Sequence, residues 1–254
     1  MGKKELCKMK FTMKLADMKI GIESQYDYLQ EFCKDYCIED CEPDFSIKME
    51  MEEIEAERKE DGGFWYTKEY LETVATLRKI SEKLPLYNRF LFHGAAITYE
   101  DEGGFLFTAP SGTGKTTHIR MWRRHLGEGV RVVNGDKPFI AIKENEVRVY
   151  GTPWAGKEKW QKNRSAELKG ICRIKQGTEC SIRKLEPVEC LEWILNEIYI
   201  PRTSGMLEIT LEHVEKLLGR VPVYELTCDI SEEAVKYSFE AMTGFKYDEK
   251  KVMK

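Results

Sequence analysis

Residues 104–117 constrain this chain more than any other stretch. An apolar run, Gly104-Phe-Leu-Phe-Thr108, leads into Ala109-Pro-Ser-Gly-Thr-Gly-Lys-Thr116, and a helical pattern continues from Lys115 to Leu126. A phosphate-binding loop reads Gly, four residues, Gly, Lys, then Ser or Thr, and it belongs between a strand and a helix. Gly114, Lys115 and Thr116 fill the last three positions. Ala109 replaces the first glycine, and Gly112 adds a second small residue inside the loop. The residue types have physical reasons. Glycines let backbone N–H groups close on an anion, and the helix N-terminus adds its partial positive charge. A lysine reaches the β- and γ-phosphates as a point charge, and a threonine hydroxyl sits on Mg²⁺. Ser111, Gly112, Thr113, Gly114, Lys115, Thr116 and Thr117 are therefore the expected nucleotide contacts, with Lys115 facing solvent.

Composition narrows the class. With 254 residues, 42% of them hydrophobic, the chain has enough apolar material for a core. Its 40 basic side chains against 44 acidic ones give a net charge of −4, which argues against a nucleic-acid partner, since phosphate contacts favour a basic surplus. No run approaches the ~18 apolar residues of a membrane helix. Residues 1–10 have lysines but no apolar segment behind them, and Leu6 stands where myristoylation wants Ser or Thr, so a cytoplasmic location is expected. Of the eight cysteines, Cys33, Cys37 and Cys41 recur every four residues. On a helix they would drift around one face and could meet a soft metal. With no histidine near, buried thiols are the preferred reading.

Along the chain, residues 9–22 and 44–51 alternate as strands, 25–37 have helical spacing, Asp61-Gly-Gly63 is a loop, and a helix is predicted over 67–83. The run 90–98 is largely apolar, with a strand beginning at His93-Gly94, and it precedes the strand 104–108. Strands follow at 130–133, 139–142 and 147–150, the last two as a hairpin, then at 166–175, 179–185 and 221–226. Helices are predicted over 187–199, 206–218 and 231–242, with Ser231 as the cap of the last. Asn134-Gly135, between two apolar runs, reads as a type I′ hairpin turn.

The flanks of the loop carry a family likeness. His93-Gly94 lies on a strand 22 residues before Lys115. The order of His-Gly strand, turn, strand and phosphate loop resembles the catalytic domain of bacterial HPr kinase/phosphorylase. Thr108-Ala-Pro-Ser-Gly-Thr-Gly-Lys-Thr-Thr117 also looks like the phosphate loop of phosphoenolpyruvate carboxykinases, which share that fold. Val132-Val-Asn-Gly-Asp136 stands where the kinase family has a strand ending in Asp-Asp, and Ala166-Glu-Leu-Lys-Gly-Ile171 resembles its Glu-Ile-Arg-Gly signature. Phe107 to Lys115, Asn134 to Pro138 and Tyr150 to Trp154 match the pattern of a divergent HPr-kinase-like group of unassigned substrate. The likeness covers about residues 89–227.

That resemblance implies an α/β fold with a mixed sheet flanked by helices over 89–254, beside a small α+β region over 1–88 of unknown role. It implies ATP and Mg²⁺ as ligands and phosphoryl transfer to a hydroxyl acceptor, whether small molecule, peptide or protein. His93 would contact a catalytic carboxylate. Asp136 would bind Mg²⁺ or take the acceptor's proton, and Glu167 would help hold the metal. One departure bears on activity: the first carboxylate of the family's pair falls on Gly135. An inactive nucleotide-binding switch is therefore an alternative, and carboxykinase chemistry a further one, against which the short chain speaks. Gly156 and Lys157, with Lys159, Lys162 and Arg164 behind them, form either a grip for an anion or a solvated basic loop. A homo-oligomer is left open.

Overall fold

The alternation of residues 9–24 becomes an antiparallel hairpin, β1 (Met9–Leu15) with β2 (Met18–Ser24), turned by Ala16 and Asp17 at φ 51° and 63°. It opens the computed structural model, which describes residues 9–60, 66–110 and 112–248. These residues fall into two compact units that divide between Lys83 and Leu84. In the first, α1 (Tyr28–Phe32), β3 (Cys37–Ile38), β4 (Phe45–Lys48), α2 (Met51–Glu60) and α3 (Lys68–Ser81) follow the hairpin. The sheet order is β3-β1-β2-β4, with β4 parallel to β2. Thr67 caps α3, its side chain accepting from Tyr70 N at 3.3 Å.

Two expectations fail in this unit. The helix expected over 25–37 stops at Phe32 and tightens into a 3₁₀ turn, Lys34–Tyr36, so Cys33, Cys37 and Cys41 do not share a helix face. Cys33 is buried, which pushes its thiol pKa up, and among the described residues no cluster of His, Cys, Asp and Glu fit to hold a metal is found. Helix α2 has no counterpart in the sequence reading. Its ten residues include five glutamates and hardly any apolar stripe, although Ile54 is fully buried. The Asp61-Gly-Gly63 loop lies outside the described residues.

The second unit contains β5 (Arg89–Leu91), β6 (Ala95–Tyr99), β7 (Gly104–Thr108), α4 (Lys115–Leu126), β8 (Val130–Asn134), β9 (Phe139–Ile142), β10 (Val147–Tyr150), β11 (Ser165–Gln176), β12 (Ser181–Leu185), α5 (Pro187–Glu197), α6 (Met206–Arg220), β13 (Val223–Cys228) and α7 (Glu232–Thr243). Among the described residues its sheet has nine strands, in the path β5-β9-β10-β11-β7-β6-β8, with β13 on β11 and β12 on β13. β11 runs parallel to β7 and β13 while the other pairs are antiparallel, so the fold is mixed α/β. The long β11 is what joins the parts. Its first residues pair with β10, and from Ile171 onward that same edge takes β13, while β7 holds the other edge.

Period-two alternation sorts this sheet's side chains onto two faces. Ala96, Leu106 and Ile171 pack with Trp193, Ile194, Val214 and Leu217 of α5 and α6. Ile97, Phe105, Phe107 and Cys172 pack with Ile119 and Trp122 of α4 and with Val235 and Phe239 of α7. Because β7 is covered on both sides, every residue in it is buried, and that is why its sequence is a continuous apolar run rather than an alternating one. The Trp122 ring lies 5.4 Å from Phe107 and 5.7 Å from Phe239, centroid to centroid. Burial of such a side chain contributes about 2–3 kcal/mol, and here it fixes α4, and so the loop before it, on the end of β7.

The strand expected to begin at His93-Gly94 is β6, and the residues before it form β5, the two parting at Phe92–Gly94 as the chain leaves the β9 edge for β7. One further expectation is corrected. Asn134-Gly135 is not a hairpin turn, since β8 pairs with β6 whereas β9 pairs with β5 and β10. The hairpin at Lys143–Glu146 is present, closed by Lys143 N donating to Glu146 O at 2.9 Å. No helix among the described residues is long and apolar enough to cross a membrane.

Candidate functional site

At the C-terminal end of β7 the chain turns through Ala109 and Pro110 into α4. Thr113 N donates to Pro110 O at 3.1 Å, and Gly112 and Gly114 take φ values of 80° and 107°, a region side chains disfavour. Among the described residues outside its chain neighbours, nothing lies within 4 Å of where a Cβ on either would point. Gly114 is the N-cap of α4 and offers no side chain to its first turn, in contrast to Thr67 at α3 and Ser231 at α7. The first N–H groups of α4 are thus left for a ligand. Ser111 lies outside the described residues. Thr116 and Thr117 are half-buried in the first turn of α4.

Three of the residues singled out from the sequence meet beside this loop. Lys115 Nζ is 3.3 Å from His93 Nε2, and the same Nε2 is 3.4 Å from Asp136 Oδ1. His93 is carried there by the break between β5 and β6. Its backbone N donates to Glu197 O at 2.6 Å, and its carbonyl accepts from the Thr108 hydroxyl at 3.2 Å, which ties it to the last residue of β7. Gly94 N donates to Asp136 O at 3.0 Å.

Asp136 is positioned by Asn134, a residue the sequence reading gave only a turn role. The Asn134 amide is fully buried. Its Oδ1 accepts from Asp136 N at 2.8 Å and Lys137 N at 2.7 Å, while its Nδ2 donates to Thr152 O at 3.0 Å and Thr152 Oγ1 at 3.1 Å. The side chain thus replaces the hairpin hydrogen bonds that an Asn-Gly turn would have made. The loop after β10 closes over the turn: a Cβ on Gly156 would lie 3.0 Å from Asp136 Cβ, and one on Gly135 would meet Ala155 O at 3.0 Å and Trp160 Cβ at 3.2 Å.

Glu197, the last residue of α5, was missed from the sequence. Its Oε2 is 3.0 Å from His93 Nδ1. Glu197-Ile-Tyr-Ile200 carries no motif; the pairing of Phe92 with Ile198 across 106 positions, with the backbone bonds around it, brings it in. Lys137 was missed as well, and its charge acts on Asp136, His93 and Lys115 alike.

The electrostatics follow from this packing. Asp136 and then Glu197 raise the His93 pKa against the effect of burial. Burial pushes the Asp136 pKa up, but contact with His93 and the charges of Lys137 and Lys115 outweigh it and hold the carboxyl below its usual range. Lys115 is half-buried rather than solvent-facing. Burial lowers its pKa, while Asp136 and Glu197 oppose that shift. With Nδ1–H donating to Glu197, Nε2 is free either to accept from Lys115 or, once protonated, to donate to Asp136. It cannot do both.

Glu167 is not brought to this site. It stands at the start of β11, one residue before the pairing of Leu168 with Gly104, whereas the phosphate loop leaves the far end of β7, roughly 15 Å along the strands. Its carboxylate is 2.6 Å from Lys169 Nζ. The metal role expected for Glu167 is corrected on that ground. The signature resemblance failed because β11 runs in register with β7, which puts the glutamate at the wrong end of the sheet. The basic loop is exposed at Lys157, Lys159, Lys162 and Arg164. His118 is buried inside the sheet-and-helix core, with Nε2 3.0 Å from Ser238 Oγ.

In structure, the chain is similar to the Hpr(Ser) kinase/phosphatase from Coxiella burnetii, over 59% of this chain and 95% of that one, at 12% sequence identity and a TM-score of 0.36. No protein-family model matches the chain, and no curated protein matches it in sequence.

Proposed function

We propose that this chain binds ATP with Mg²⁺ and transfers the terminal phosphate to a hydroxyl acceptor. The observation that carries the reading is the meeting of Lys115, His93 and Asp136 within 3.4 Å steps at the mouth of an uncapped glycine loop. The open space at Gly112 and Gly114 suits a polyphosphate, because among the described residues no side chain fills it and the uncapped start of α4 adjoins it. One carboxylate and the Thr116 hydroxyl suit Mg²⁺, which keeps several waters and takes few protein ligands. When bound, the ion supplies charge neutralisation on the phosphates.

The chain's own residues do the rest. Lys115 and the loop amides hold the phosphates in line with the acceptor. Asp136 takes the proton from the acceptor hydroxyl as its oxygen bonds to the γ-phosphorus and the bond to the bridging oxygen breaks. His93 holds Asp136 on one side and is itself held by Glu197 on the other.

A second reading, a nucleotide-binding switch without catalysis, draws on Gly135. The backbone and Trp160 crowd the place where a second carboxylate would stand, so Asp136 would have to serve both metal and proton. Two variants in one assay decide. Lys115→Ala is expected to abolish Mg·ATP binding in calorimetry with the fold intact, and unchanged affinity would remove the nucleotide assignment. Asp136→Asn is expected to keep weakened, less Mg²⁺-dependent binding while transfer from radiolabelled ATP drops ~100-fold or more. Transfer at the parental rate would reduce Asp136 to a turn residue.

A further inference from the structure

The loop that covers Asp136 is pinned at both ends and carries uncompensated positive charge. Gly151 N donates to Arg164 O at 2.9 Å, Lys162 N to Val133 O at 3.2 Å, and Lys159 N closes a turn onto Gly156 O at 3.2 Å. Between Gly156 and Arg164 there are four cations and one acid, in a chain whose net charge is −4. That acid, Glu158, is already taken by Arg120 at 2.6 Å. Lys157, Lys159 and Lys162 are exposed and make no ion pair among the described residues, and the same holds for Arg123 and Arg124 on the outer face of α4. Trp160 links the two groups. Its Cβ lies against Gly135, and the guanidinium carbons of Arg120 and Arg123 stand 5.6 and 5.9 Å from its ring. Cation–π contact of this kind orders the arginines rather than leaving them to swing. Arg120, Arg123 and Arg124 also line a shallow cleft of about 410 Å³.

We propose that this ridge, from Lys157 in the loop that covers Asp136 over Trp160 to Arg123 and Arg124, seats an acidic peptide segment. Placement decides between a peptide and a small anion. The cations of the ridge stand on two separate elements, Lys157, Lys159 and Lys162 on the loop and Arg123 and Arg124 on α4. One phosphate or carboxylate group cannot pair with all of them, whereas a run of acidic side chains along a peptide can. This binding surface does not rest on the kinase reading.

The test uses the full chain and a fluorescein-labelled peptide with one central serine flanked by aspartates and glutamates. Its counterpart carries asparagine and glutamine instead. Fluorescence anisotropy is expected to show saturable binding of the acidic peptide only, weakening steeply with salt. The triple variant Lys157→Gln, Lys159→Gln, Arg123→Gln should bind it ~10-fold or more weakly, with its circular dichroism and Mg·ATP affinity unchanged. Equal binding of the neutral peptide, full affinity in the triple variant, or complete competition by free phosphoserine would each overturn the proposal. If the chain binds the acidic peptide but no ATP, the surface stands and the kinase reading falls. If it binds ATP but not the peptide, the surface falls and the kinase reading stands.

Discussion

At the scale of single residues, the site is a chain of contacts with His93 in the middle. Each of its ring nitrogens faces a carboxylate, Glu197 at 3.0 Å and Asp136 at 3.4 Å. A ring fixed on one nitrogen by a buried acceptor has its orientation set for the other. Glu197 is therefore a positioning residue, and removing its charge has a predictable sign. Glu197→Gln keeps the shape but withdraws one of the two groups that raise the His93 pKa. That pKa, followed by NMR through the ring C–H signal, should fall. The same pKa in the variant would mean the contact is not populated in solution. Part of this arrangement was legible beforehand. Lys115 stands at a motif position, because a phosphate loop fixes which residue types its chemistry needs, whereas His93 and Asp136 were singled out by the resemblance of the loop's flanks. Glu197 was not legible, since it arrives through a long-range pairing that leaves no local pattern. Glu167 was misread because a short motif carries no register.

At the scale of elements, α4 does two things at once. Its first turn leaves N–H groups open, and its inner face buries Trp122 and His118 against β7 and α7. His118 pays for that burial with its charge: desolvation lowers its pKa to about 4. The unfolded chain binds a proton near pH 6.5 while the folded one does not, so this group leaves stability untouched above pH 6.5 and erodes it as pH falls toward 4. Between pH 7 and pH 5 the loss is about 2 kcal/mol from this residue alone. Urea unfolding at both pH values should show that difference shrinking in His118→Gln, whose amide can still reach Ser238. An equal pH dependence in the variant would show that His118 titrates normally. Elements with strong periodicity or a clear cap, such as α3, α4 and α7, were readable to within a residue or two. The failures have physical causes. Helix α2 is too acidic to show a stripe, α1 is cut short at Phe32, and the Asn134 side chain took over hydrogen bonds that its sequence assigned to a hairpin.

At the scale of the whole molecule, every side chain in the candidate site belongs to the unit Leu84–Lys254, and the sheet of that unit is organised around the strand that carries the loop. β7 is held by β11 on one edge and β6 on the other, and β6 in turn pairs with the strand ending at Asn134. A nucleotide on the loop, as proposed, would touch residues from β7, α4, the β5–β6 break and the turn after β8, which are contiguous in hydrogen bonding though scattered in sequence. A ligand that binds only the folded form stabilises it by about 2.7 kcal/mol at a hundred times its dissociation constant. Hydrogen exchange with saturating Mg·ATP should accordingly slow in the amides of β6, β7, β8 and the first turns of α4. The largest change is expected at Gly112, Gly114 and the first-turn amides Lys115 to Thr117, which the uncapped start of α4 leaves open. Slowing confined to the sheet of β1 to β4 would place the nucleotide on the other unit and remove the role given to Lys115. The Lys115→Ala chain supplies the matching control, since the same amides should then exchange at one rate with and without nucleotide.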